Sequence, residues 1–105
     1  MENKIHLKKD EINSTVGFVI MKEGDTFVGY CPALDMSTQG ATFEQLTKRM
    51  GELVDIFLEE TVKNGTLPDA LRELGWQEVK RRHHRSRWVP PQMIGQAYQD
   101  VRIPA

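Results

Sequence analysis

Residues 4–8 place Ile5 and Leu7 on one side of an extended chain and His6 on the other, the period-two pattern of a half-buried strand. After the breakers Asp10, Asn13 and Ser14, a second strand is predicted over 15–22, rich in Val, Phe and Ile and ended by Glu23-Gly24-Asp25. A third is predicted over 26–31, and the short Gly-containing connection makes the second and third an antiparallel hairpin. Pro32 lacks a backbone donor, and so many breakers follow as far as Gly40 that a loop is predicted there. From Thr42 the period changes. Phe43, Leu46, Met50, Leu53, Val54, Phe57 and Leu58 recur at three- and four-residue spacing and line one face of a helix over 42–64. Thr42 with Gln45 forms a capping-box pattern at its start, and Asn64-Gly65 a left-handed stop at its end.

Pro68 suits the first turn of a short second helix that Gly75 ends. Beyond it, 76–80 and 87–89 are predicted to face each other as strands across a turn near His83-His84. Val101 and Ile103 alternate with polar residues after Pro90-Pro91, so 98–103 is predicted as a terminal edge strand. The fold class is therefore α+β: an antiparallel three-stranded β-meander, one long amphipathic helix packed on the sheet, a short second helix and a returning strand. Residues 1–80 form the body, and 81–105 a C-terminal extension with a basic turn and a Pro-Pro spacer.

Composition narrows the function. With 39% hydrophobic residues in 105, the core is small and a second copy is expected to complete it, giving a homodimer or higher even-numbered oligomer. The 14 basic and 15 acidic residues leave a net charge of −1, which excludes binding of nucleic acid or anionic lipid through overall charge. Cys31 is the only cysteine and can form no intrachain disulfide, and no signal-like or membrane-spanning apolar run is present, so a cytoplasmic protein without a membrane partner is expected.

Three segments, in this order, resemble the HicB-type antitoxins: Gly17-Phe18-Val19, then Thr26-Phe27-Val28-Gly29-Tyr30-Cys31-Pro32-Ala33-Leu34, then Gly40-Ala41-Thr42-Phe43-Glu44-Gln45. They are similar to that family's aromatic strand ending in a Cys-Pro-x-Leu or Ser-Pro-x-Leu turn and its Gly-Asp-Thr helix start, with Ala41 where an acidic residue is common. The likeness covers about residues 15–75, and Leu74-Gly75-Trp76 with the later Pro-Pro is similar to compact members. The resemblance implies a partial RNase H-like fold and a non-catalytic antitoxin that neutralises a small HicA-like, mRNA-cleaving toxin by direct binding. Full-length HicB proteins often add a C-terminal DNA-binding pair of helices. Nothing after Trp76 matches one, so sequence-specific autoregulation by this chain alone is not expected.

The motif residues Tyr30, Cys31, Pro32, Leu34, Gly40 and Thr42 act structurally: Pro32 stops strand pairing, Gly40 permits a tight backbone, and Thr42 provides a helix cap worth about 1 kcal/mol. Nuclease chemistry needs carboxylates converging on divalent metals, and the early strands carry none within their bodies. Cys31 lacks an activating neighbour, which favours packing over nucleophilic chemistry. The arginines flanking His83-His84 oppose a metal cation. No catalytic residue, cofactor or metal site is predicted. The run at 80–87 concentrates Lys80, Arg81, Arg82, Arg85 and Arg87, with Trp88 next to it as a stacking group. It reads either as a solvated hairpin or as a phosphate- or partner-binding strip, the latter giving the alternative function of a stand-alone nucleic-acid-binding or regulatory module. The helix stripe at Leu53, Val54, Phe57 and Leu58 is assigned to the core, and an exposed sheet edge to partner binding.

Overall fold

The hairpin expected around Glu23-Gly24-Asp25 closes on Gly24, whose φ of 61° needs no Cβ to be accommodated. It is seen in a computed structural model that describes residues 2–9, 11–81 and 85–105. β3 (Val19–Glu23) and β4 (Thr26–Cys31) pair in continuous register from Val19 opposite Tyr30 to Glu23 opposite Thr26, leaving Gly24 and Asp25 as a two-residue loop. β5 (Met36–Gly40) pairs with the other side of β4, completing a three-stranded antiparallel meander.

α1 (Phe43–Lys63) packs on this meander. Thr42 Oγ1 accepts from the Gln45 amide at 3.0 Å, while Gln45 Oε1 accepts from the Ala41 amide at 2.7 Å, one residue before the cap. At the far end Gly65 adopts φ 70°, and the Thr66 and Gly65 amides return to the carbonyls of Thr61 and Val62. This is a Schellman stop. α2 (Leu67–Glu73) ends the same way, with Gly75 at φ 88° and the Trp76 and Gly75 amides bonded to Leu71 and Arg72.

The second sheet joins the two ends of the chain. β1 (Lys4–Leu7) lies between β2 (Ile12–Thr15) and β7 (Arg85–Val89), and β6 (Gln77–Arg81) pairs outside β7, giving the antiparallel order β2-β1-β7-β6. Ile5 of β1 and Trp88 of β7 face each other in the ladder, both fully buried. One core then runs between the sheets and helices, built from Ile5, Cys31, Ala33, Leu34, Val54, Leu67, Leu71, Trp76 and Trp88.

The fold class matches the sequence expectation, but the membership of its parts differs in four places. The predicted first strand exists as β1 but belongs to the four-stranded sheet, so the meander is made of β3, β4 and β5. The predicted strand over 15–22 is two: Thr15 closes β2, the Gly17 amide bonds to Asn3 Oδ1 at 2.6 Å, and Val16 and Phe18 pack against the core while the chain crosses between sheets. The predicted loop over 32–40 holds only a short turn, with the Leu34 amide returning to the Cys31 carbonyl at 3.3 Å, before β5 begins. The predicted edge strand at 98–103 is an unpaired, exposed segment. The body also continues past position 80, because β7 sits inside the four-stranded sheet; the extension begins after Val89.

Candidate functional site

The family-like residues fall at the two ends of the β4–β5 pair: Tyr30 and Cys31 lie opposite Ser37 and Met36 beside the turn, and Gly40 lies opposite Phe27 at the other end. Tyr30 and Cys31 end β4, Pro32 to Asp35 turn the chain, and Gly40 ends β5 directly before the Thr42 cap. Gly40 is required by contact: a Cβ there would stand 2.7 Å from the Leu46 backbone nitrogen. Asp35 holds the turn at φ 51°, and its carboxylate accepts from the Tyr30 hydroxyl at 2.9 Å. That hydrogen bond, followed by burial and the nearby negative charge, raises the Tyr30 pKa above the usual phenol value. Cys31 and Leu34 point into the core, and burial pushes the Cys31 thiol up, so it stays protonated at neutral pH. A protonated, fully buried sulfur is a packing group.

The basic run does not form a continuous strip. Lys80 is exposed on β6, and Arg81 ends that strand as the ladder partner of Arg85. Arg82, His83 and His84 lie outside the described residues. Arg85 is exposed, whereas the Arg87 side chain is only 30% exposed and pairs with Glu2 at 3.8 Å. Trp88 corrects the sequence reading most clearly: at 0% exposure it is core, with the Arg72 guanidinium 5.2 Å from its ring centroid, so the ring cannot stack on a base. Strand alternation explains this, since Trp88 shares its side of the sheet with Ile5 while Arg85 and Arg87 take the other.

The surface that sequence inspection missed is the outer face of the meander. A Cβ on Gly29 would touch Met50 and Leu46 of α1, so Gly29 and its ladder neighbour Ile20 lie on the helix side. Val19, Met21, Val28 and Tyr30 therefore project away from the helix. Val19 is 47% and Met21 48% exposed, and Val28 is half-buried. The available signal was that β3 is apolar on both parities (Val19, Ile20, Met21), whereas a half-buried strand alternates. Elsewhere, a groove of about 990 Å³ opens between the end of α1, the start of α2 and β1–β2, floored by Leu7, Ile12, Leu58, Val62, Leu67 and Pro68. Among the described residues no three His, Cys, Asp or Glu side chains group as a metal site would require. No described helix is long and apolar enough to cross a membrane.

Fold and surface together define a small α+β protein of two antiparallel sheets and two helices with an outward apolar sheet face. Comparison with protein-family models, with curated proteins and with solved structures returns no match.

Proposed function

We propose that the chain is a non-catalytic, antitoxin-like binding protein that neutralises a small HicA-like, mRNA-cleaving toxin by covering its active surface. The observation that carries this reading is the outward apolar face of Val19, Met21 and Val28, which includes the family-like positions Val19 and Val28. Apolar surface grouped on an open sheet face is the usual mark of a protein-binding site. The rival reading, a nucleic-acid-binding module on the basic run, loses its stacking group with Trp88 in the core and has Arg87 engaged by Glu2.

Co-expression with a small HicA-like, mRNA-cleaving toxin tests the proposal. Growth rescue and a co-purifying complex are expected from the native chain, and both are expected to fail for Val28→Lys at unchanged circular dichroism. Toxicity that the native chain leaves untouched, with no complex formed, overturns the reading. Salt-sensitive RNA or DNA binding lost on Lys80→Ala with Arg85→Ala would instead support the rival.

A further inference from the structure

The sheet edges are guarded unequally. On β5, the Arg49 guanidinium donates to the Gln39 carbonyl at 2.8 Å and covers part of that edge with α1. β2 has only four residues, with exposed Asn13 and Ser14, and β6 ends in Lys80 and Arg81. Short, polar or charged edges resist pairing with other chains. β3 has none of these defences over Val19, Ile20 and Met21: its register is continuous, it contains no proline, and all three side chains are between 41% and 48% exposed. An apolar edge of this kind is a template for another strand.

The same chain carries a segment suited to that edge. Residues 92–105 are exposed throughout, and they present Met93 at 67%, Ile94 at 93%, Tyr98 at 91%, Val101 at 75% and Ile103 at 79% exposure. The segment leaves the body beside β3, since Met93 lines the same surface hollow as Phe18 and Val19. Extended, it reaches roughly 46 Å, enough to cross to a neighbouring molecule.

We propose that residues 99–103 of one copy, carried by the exposed 92–105 segment, add as an antiparallel strand along the free β3 edge of a second copy, and reciprocally, forming a two-fold dimer by strand exchange. Val101 and Ile103 repeat the two-residue spacing of Val19 and Met21. With Val101 opposite Met21 and Ile103 opposite Val19, the outer apolar face gains a fourth strand. The same register sets Asp100 directly opposite Lys22 and Arg102 opposite Ile20. Opposite charges facing each other across an antiparallel pair favour this alignment over its one-residue slips. Reciprocal exchange uses the same two surfaces on both copies and closes the assembly.

Light scattering on the purified full chain, without any toxin, tests this independently of the proposed function. The native protein is expected at twice its 12.1 kDa chain mass, and Val101→Asp with Ile103→Asp at the single-chain mass with unchanged circular dichroism. Oxidising a chain with Met21→Cys and Val101→Cys is expected to give a covalent dimer on a non-reducing gel. A native mass of one chain across micromolar concentrations, a dimer that survives both aspartates, or a cross-link formed only within one chain each overturns the proposal.

Discussion

The indole Nε1–H of Trp76 donates to the Ala33 carbonyl at 2.7 Å inside the core, joining residues 43 positions apart. The bond ties the end of α2 to the turn between β4 and β5, so the Cys31-Pro32-Ala33-Leu34 and Leu74-Gly75-Trp76 segments form one structural unit. Trp88 offers a natural control, because its Nε1 is buried with no hydrogen-bond partner among the described residues. Both Trp→Phe changes reduce ring volume, but only Trp76→Phe deletes a bond. Urea denaturation should find Trp76→Phe less stable than Trp88→Phe by about 1 kcal/mol.

Truncating Trp88 itself is expected to be far more damaging. It is fully buried and abuts Ile5 in the middle of the four-stranded sheet, so Trp88→Ala should lower unfolding free energy by roughly 3–5 kcal/mol. Lys80→Ala and Arg85→Ala, at exposed sites, should stay within about 0.5 kcal/mol of the native chain. Equal effects at all three positions would contradict the division of the basic strand into buried and exposed sides.

Glycines at two places in the fold should respond with opposite sign. Gly40→Ala forces a Cβ to 2.7 Å from the Leu46 backbone nitrogen, where nothing short of a helix shift gives relief, and should destabilise by about 1–3 kcal/mol. Gly51→Ala, inside α1 with open space at its Cβ, should stabilise by about 0.5–1 kcal/mol. Melting temperatures of the two variants against the native chain decide both.

The Cys31 thiol gives a pH signature. Its folded pKa lies above the ordinary 9.0 because burial disfavours the thiolate, so the folded state holds its proton where the unfolded state has lost it. The corresponding stability is complete below pH 9 and declines as pH rises through the folded value. Cys31→Ala should flatten this alkaline decline in a denaturation series from pH 8 to 11. In the native chain, Ellman's reagent should react only as fast as the protein unfolds.

Tyr30 should ionise late for a different reason. Its hydroxyl donates to Asp35, and losing the proton would break that bond and set two negative charges together, so its absorbance titration should lie above 10.0. Asp35→Asn, which removes the charge, should move the midpoint down toward 10.0. An unchanged midpoint would deny the bond.

Local chemistry determined much of this protein. The Thr42 cap, the Gly65 and Gly75 stops and the Gly24 hairpin each depend on residues within a few positions, so α1, α2 and the β3–β4 pair were legible along the chain. The structural roles of Pro32, which follows the end of β4, and of Gly40, where the chain passes close to α1, were legible too. Tertiary structure alone decided the rest. Met36-Ser37-Thr38-Gln39-Gly40 has little strand character, and becomes β5 because β4 offers it a ladder and α1 covers one side. Whether Trp88 met solvent or core depended on pairing with Ile5, some eighty residues earlier, which no local period encodes. The split into two sheets rests on the same long-range pairing, and so does the outward turn of Val19 and Met21: a strand's sequence alternates sides, but only packing assigns one of them to water.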